Sequence, residues 1–181
     1  MTLNRFHFAF LVGALTSVAL DARAEVVVFD AAQKLSINAC FTPGEDCTKN
    51  ILKVLADAKH TIYVQAYSFT NEVIEQALVD AKKRGVDVRV ILDKGQKKCA
   101  TFLSNENIPV WVDKKVAIAH NKVIIVDEEI VVTGSFNFTR SAQERNAENS
   151  IIIYSSNLAQ AYLENWSRRK SQSSIFIKKG L

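Results

Sequence analysis

A chain of 181 residues with 48% hydrophobic and 23% charged side chains has an ordinary globular composition, so disorder is not its default state. Its length suits one domain with a substantial core and is too short for two comfortable ones. A net charge of +4 is compatible with a polyanionic partner, but charge alone is no argument for nucleic acid.

Arg5 precedes an apolar run at 8–20, which ends near Ala22-Arg23-Ala24, a small-x-small cleavage pattern. Residues 1–24 therefore read as a secretory signal peptide, leaving one domain at 25–181. A membrane span needs ~20 apolar residues, more than this run supplies. The expected protein is periplasmic or secreted, with no stable membrane association after cleavage. Three cysteines, Cys40, Cys47 and Cys99, would then sit where disulfides persist. Cys40 and Cys47, separated by a short loop containing Pro43-Gly44, are the favoured pair; the alternative is three small buried hydrophobes. No C-x-x-C or Cys/His cluster suggests zinc.

In chain order, 26–29 and 35–41 read as extended segments. Ile51, Leu52, Val54, Leu55 and Ala58 fall at helical spacing. A β run, 61–67, leads to a second helix with Val73, Ile74, Ala77, Leu78 and Ala81 on one stripe. That helix ends in Lys82-Lys83-Arg84, beside its negative pole, with Gly85 at C′. A nearly continuous apolar strand at 86–92, a short helix around 99–104 and a strand at 110–112 complete an α/β alternation. Strands at 121–126 and 130–133 flank the polar turn Asp127-Glu128-Glu129 and make a hairpin. A strand at 149–154 runs into a helix with capping-box spacing at Asn157 and Gln160 and a stripe of Leu158, Tyr162, Leu163 and Trp166. The tail from Ser167 either frays or adds an edge strand through Ile175-Phe176-Ile177. No repeat or linker divides the chain.

The stretch 117–139, AIAHNKVIIVDEEIVVTGSFNFT, sets polar groups into a β-forming run. Strand alternation points His120 and Lys122 to one face, with Asn121 and Val123 on the other. Ser135 and Asn137 share a face, opposite Phe136 and Phe138. Glu144, Asn146 and Glu148 alternate again before the next strand. One such residue is readily a solvated strand face. Five in a single spaced pattern are not.

His120, Lys122 and Asp127 spell H-x-K-x4-D, and Gly134-Ser135-Phe136-Asn137 supplies G-S-x-N. This pattern resembles that of the phospholipase D superfamily, and the mature chain is similar throughout to its small secreted bacterial endonucleases. The resemblance implies a phospholipase D-like α/β fold, a mixed β-sheet flanked by helices on both faces. It also implies attack of His120 on phosphorus through a covalent phosphohistidine, without metal or other cofactor. Lys122, Ser135 and Asn137 would hold phosphoryl oxygens, and Glu148 would orient the imidazole. Asp127, seven residues from His120, has the wrong parity for the reaction face and is expected to be a structural carboxylate unless a bulge intervenes.

The family chemistry uses two histidines, whereas this chain carries one motif. Apart from His7 in the leader, the other histidine is His60, which reads as a surface or loop residue. The expectation is a homodimer with one composite site. Its substrate would be DNA, with RNA left open, and Lys94, Lys97, Lys98, Lys114, Lys115, Arg140 and Arg145 are candidates to follow a phosphate backbone. The alternatives are a phospholipase acting on lipid head groups and a non-catalytic nucleic-acid-binding or export-associated protein.

Overall fold

Residues 35–177 are those described by this computed structural model. The expected leader and the extended segment at 26–29 lie outside the described residues. Eight strands, β1 (Ser36–Thr42), β2 (Thr61–Ala66), β3 (Asp87–Asp93), β4 (Val110–Asp113), β5 (Lys122–Val126), β6 (Ile130–Gly134), β7 (Glu148–Tyr154) and β8 (Ser174–Ile175), form one sheet in the order β1-β7-β6-β5-β2-β3-β4-β8. The β2–β3 and β3–β4 pairings are parallel and the others antiparallel. Five helices accompany them: α1 (Cys47–Asp57), α2 (Glu72–Lys83), α3 (Lys97–Asn105), α4 (Arg140–Glu144) and α5 (Ser156–Ser171).

The period of two divides each central strand between two cores. Ile62, Val64 and Ala66 of β2 pack with Ile51 and Leu55 of α1, Ile74 and Leu78 of α2 and Leu103 of α3. Tyr63 turns the other way, against Ala159 and Trp166 of α5. The indole N–H of Trp166 donates to the Val64 carbonyl at 2.9 Å, so the polar end of this buried ring is satisfied. The result is a single-domain mixed sheet with helices on both faces.

Cys40 and Cys47 are joined as a disulfide, clipping β1 to the start of α1. Cys99 is the free cysteine and is buried. Burial, reinforced by the neighbouring Glu75 carboxylate, raises its thiol pKa and keeps it protonated.

Two local features differ from expectation. The N-cap of α5 is Ser155, whose hydroxyl accepts from the Leu158 N–H, rather than Asn157; β7 ends at Tyr154 as expected, and the helix begins directly after the next residue. The five-residue α4 is an addition to the expected elements, and Thr139 caps it by accepting from the Ala142 N–H at 3.1 Å. Of the two expectations for the tail, the edge strand is the one found: α5 continues to Ser171, and β8 then adds a two-residue edge to β4.

Two helix ends differ in their charge. α2 has Glu72 and Glu75 in its first turn and Lys82 and Lys83 in its last, matching its dipole. α3 does the reverse. Its first turn holds Lys97 and Lys98 with no acid, and Gln96 provides no side-chain cap. Such a reversed charge costs about 0.3–1 kcal/mol at an exposed helix end.

Candidate active site

Pairing direction gathers the polar residues of 117–139 at one end of the sheet. The carboxyl ends of β2, β3 and β4, the start of β5, the end of β6 and the start of β7 all lie there, with the N-termini of α1, α2 and α3. Ligands of open α/β sheets bind outside the carboxyl ends of the parallel strands.

His120 is exposed just before β5, while Lys122 is 8% exposed within it. The Lys122 Nζ lies 3.0 Å from His120 Nδ1 and donates to the His120 carbonyl at 2.7 Å. An ammonium only donates, so Nδ1 accepts, and a neutral imidazole then carries its proton on Nε2. Burial lowers the Lys122 pKa from its ordinary 10.5, with the Glu148 carboxylate pulling the other way. The lysine therefore loses its proton at lower pH than a solvated one.

Tyr67, absent from the motif, completes this corner. Its ring centroid lies 4.4 Å from that of His120, tilted by 52°, and Lys122 Nζ is 5.2 Å from the same ring. Its N–H donates to the Asn121 carbonyl at 2.8 Å, tying it to the strand that carries both partners. Replacing Tyr67 by leucine should lower turnover at this site about tenfold, roughly the worth of an aromatic contact plus a cation–π contact, whereas Tyr67→Phe should stay near the parent rate. Steady-state kinetics of the two variants check this, and equal losses in both would assign the effect to the hydroxyl instead.

The segment Gly134-Ser135-Phe136-Asn137-Phe138 is positioned from its buried side. Phe136 and Phe138 are core residues, and the Phe69 and Phe138 rings meet edge-on with centroids 5.3 Å apart. The Thr70 and Asn71 N–H groups donate to the Phe138 carbonyl at 2.9 and 3.0 Å. Gly134 adopts a φ of 141°, in which the Ser135 and Phe136 N–H groups both reach the Asn149 carbonyl, at 3.0 and 3.1 Å. The Ser135 hydroxyl is thereby presented to Glu148 Oε2 at 2.6 Å. The Asn137 Oδ1 is buried without a hydrogen-bond partner among the described residues; an amide oxygen only accepts, so a phosphoryl oxygen could be held through the Nδ2 of this side chain and not through Oδ1.

Glu148 is held on both oxygens, by Ser135 and by Asn146 Nδ2 at 2.8 Å. These bonds, and none to His120 of the same chain, fix its carboxylate among the described residues. Its charge still reaches Lys122. Arg140 spends its charge on Glu144, at 2.7 and 2.8 Å, and Lys98 is 3.4 Å from Glu72. These two cations are less available to a phosphate backbone than their sequence positions imply.

Asp127 lies at the far end of β5. Its carboxylate accepts from the N–H groups of Lys59, His60 and Thr61 at 2.8, 2.7 and 2.8 Å. Asp127 and Glu128 have φ of 52° and 57°, the positive pair favoured in hairpin turns, so turn geometry rather than strand parity aims the side chain. Burial pushes its pKa up, but the Thr61, Lys59 and His60 bonds outweigh it and the net shift is downward from 3.8. The corresponding stability is present above that ordinary value and is lost as pH falls through the depressed one. Asp127→Ala should cost about 2 kcal/mol in a urea melt near pH 7, because each hydrogen bond to a charged group is worth about 1.5–3 kcal/mol but water reaches the released donors. The difference between variant and parent should shrink in strong acid; a difference that grew there would refute the assignment.

The family profile described as "Cardiolipin synthase, PLD-like domain" matches residues 51–170. The phospholipase D of Rickettsia typhi is 38% identical over 176 residues, covering 95% of this chain and 86% of that protein. The chain belongs to the phospholipase D superfamily. Among solved structures, the phospholipase D family member Nuc from Salmonella typhimurium superposes with a TM-score of 0.76 at 38% identity, over 80% of this chain and all 100% of Nuc. NucT from Helicobacter pylori, at 21% identity and a TM-score of 0.72 over 79% of this chain and 100% of NucT, shares the fold. In this phospholipase D superfamily chain, the reactive corner is open. A hollow of about 540 Å³ at the same sheet end is walled by Asp46, Asn71 and Arg140 among others, and neither His120 nor Lys122 takes part in it.

Proposed function

We propose that this protein is a secreted, metal-independent endonuclease that hydrolyses DNA phosphodiesters through a phosphohistidine, at a site shared by two copies of the chain. The carrying observation is His120 in hydrogen-bonding reach of Lys122 at an open sheet end, with no second imidazole beside it among the described residues. His60 lies at the opposite end of β2, about 20 Å away for six residues, and its backbone is bound to Asp127. A two-fold axis past His120 supplies the missing imidazole. It also covers Val116 and Ile118, 37% and 53% exposed beside the histidine.

Before substrate arrives, Lys122 bonds the ring. A phosphoryl group competes for that ammonium, so Lys122 moves its charge to the oxyanion and releases Nδ1. One imidazole nitrogen then attacks phosphorus, forming an N–P bond and breaking the bond to the 3′ oxygen. The partner's His120, as imidazolium, protonates that oxygen. As a base it next takes a proton from water, whose oxygen attacks phosphorus and cleaves the N–P bond, leaving a 5′-phosphate. Ser135 lines the oxyanion side, where its hydroxyl would turn its proton from Glu148 to a phosphoryl oxygen, and Asn137 would donate through Nδ2. Glu148, held in place by Ser135 and Asn146 and not bonded to its own imidazole, would offer a remaining lone pair to orient the partner's.

Hydrolysis of phospholipid head groups is the second reading, favoured by the name of the Rickettsia relative. No helix among the described residues is long and apolar enough to cross a membrane. The test incubates mature protein with plasmid DNA and with phosphatidylcholine vesicles, each in excess EDTA, beside His120→Ala. DNA cleavage in EDTA that the substitution abolishes is expected. Cleavage needing added metal, or lipid turnover without DNA cleavage, would reject the reading.

A further inference from the structure

The loops after β3 and β4 flank the site and carry Lys94, Lys97, Lys114 and Lys115, all exposed. None forms an ion pair among the described residues. Residues 94–98 and 114–119 contain no acid at all. The two aspartates that begin these loops are turned inward and used up. Asp93 accepts from the Gly95 and Ala119 N–H groups, both at 2.9 Å. Asp113 accepts from the Lys115 N–H at 3.1 Å and from the guanidinium of Arg169. Each carboxylate thus shapes a loop while the lysines face solvent, and the Ala119 bond fixes the β4 loop directly before His120.

A second, independent feature is the start of α3. Lys97 occupies an uncapped helix N-terminus, where the dipole already favours anions and disfavours a cation. The charges reinforce one another instead of cancelling, which suits an anionic ligand that spans them.

Resting on the nuclease reading, we propose that these four lysines form a phosphate track that leads one nucleic-acid strand from the β4 side of the sheet to His120. From β5 across β2 and β3 to β4 is three strand spacings, about 14 Å. Successive phosphates along one strand lie farther apart than the ~3.4 Å of duplex rise, so that distance takes about two or three of them. In a two-fold dimer the second track leaves the shared site in the opposite direction, so a strand is gripped on both sides of the scissile bond.

The test compares the parent with Lys94→Gln/Lys97→Gln, Lys114→Gln/Lys115→Gln, the quadruple variant and its Lys→Arg counterpart. Two substrates are used, bis(p-nitrophenyl) phosphate and a single-stranded oligonucleotide, at salt concentrations from about 50 to 200 mM. The small diester should be hydrolysed equally by all. On the oligonucleotide, the slope of log kcat/KM against log salt should flatten by ~0.7 per lysine removed, and the arginine variant should restore it. An unchanged slope overturns the track while leaving the nuclease reading intact. A loss of small-diester hydrolysis in the glutamine variants overturns it too, by placing the lysines in the reaction or the fold. If the parent cleaves the small diester but no nucleic acid, the nuclease reading fails and takes the track with it. Loss of binding to phosphatidylglycerol vesicles with no change in oligonucleotide slope overturns it in favour of a membrane-docking surface.

Discussion

His120→Ala should lower phosphodiester turnover by at least about 10⁴-fold. The loss exceeds that expected for one acid or base because, in the proposed symmetric dimer, a single substitution would remove both the nucleophile and the proton donor. The same reasoning gives a sharper result in mixtures. When equal amounts of parent and variant chains are unfolded and reassembled together, about one quarter of the parent activity per total site should survive, since only dimers with two intact histidines react. Survival of about one half would mean that each protomer holds a complete site. Sedimentation of the active parent as a monomer would count equally against a shared site.

Gly134→Ala should be the most destabilising change near the site, at about 4 kcal/mol in a denaturant melt. A Cβ built there would lie 2.2 Å from the Asn149 carbonyl oxygen, a backbone atom inside the β6–β7 ladder that has no flexible end to yield. The φ of 141° adds conformational strain. Gly85 is the control. Its φ is also positive, at 95°, but an added Cβ meets nothing within 4 Å, so Gly85→Ala should cost about 1 kcal/mol. If the two variants melt alike, the collision at Gly134 is not real. At permissive temperature Gly134→Ala should also turn over slowly, because the same backbone path aims Ser135 at Glu148.

Much of this architecture is visible in spacing alone. The stripes of α1, α2 and α5 and the alternation in 120–126 are local patterns backed by deep burial, and both cores keep them. Features that spacing does not reveal depend on contacts between distant segments. Only five residues long, with Ala142 alone buried, α4 offers no stripe to read. Tyr67 looks like the last residue of a strand until the antiparallel pairing of Ala66 with Lys122 brings it over the imidazole. The start of α5 depends on where β7 stops, a question of sheet register that Ser155 and Asn157 answer equally well as side chains. Parity assigns Asp127 away from the reaction, yet the cause is a turn of positive φ that no count of alternating residues contains. The family resemblance aims Glu148 at an imidazole, but the pattern of a single chain has no means of saying whose ring that is.

Lys122 and Asp127 bracket β5, one at the reacting end and the other beside the α1–β2 connection. The four residues between them in H-x-K-x4-D are therefore a ruler: they measure one strand crossing the sheet, about 17 Å, and not a chemical distance between cooperating groups. The motif is a union of two devices, a reactive pair and a clasp, joined only because the same strand carries both. A homologue that kept the aspartate and lost the histidine would still close its hairpin and would catalyse nothing. In such chains the third letter of the signature certifies the fold, and the first two alone certify the reaction.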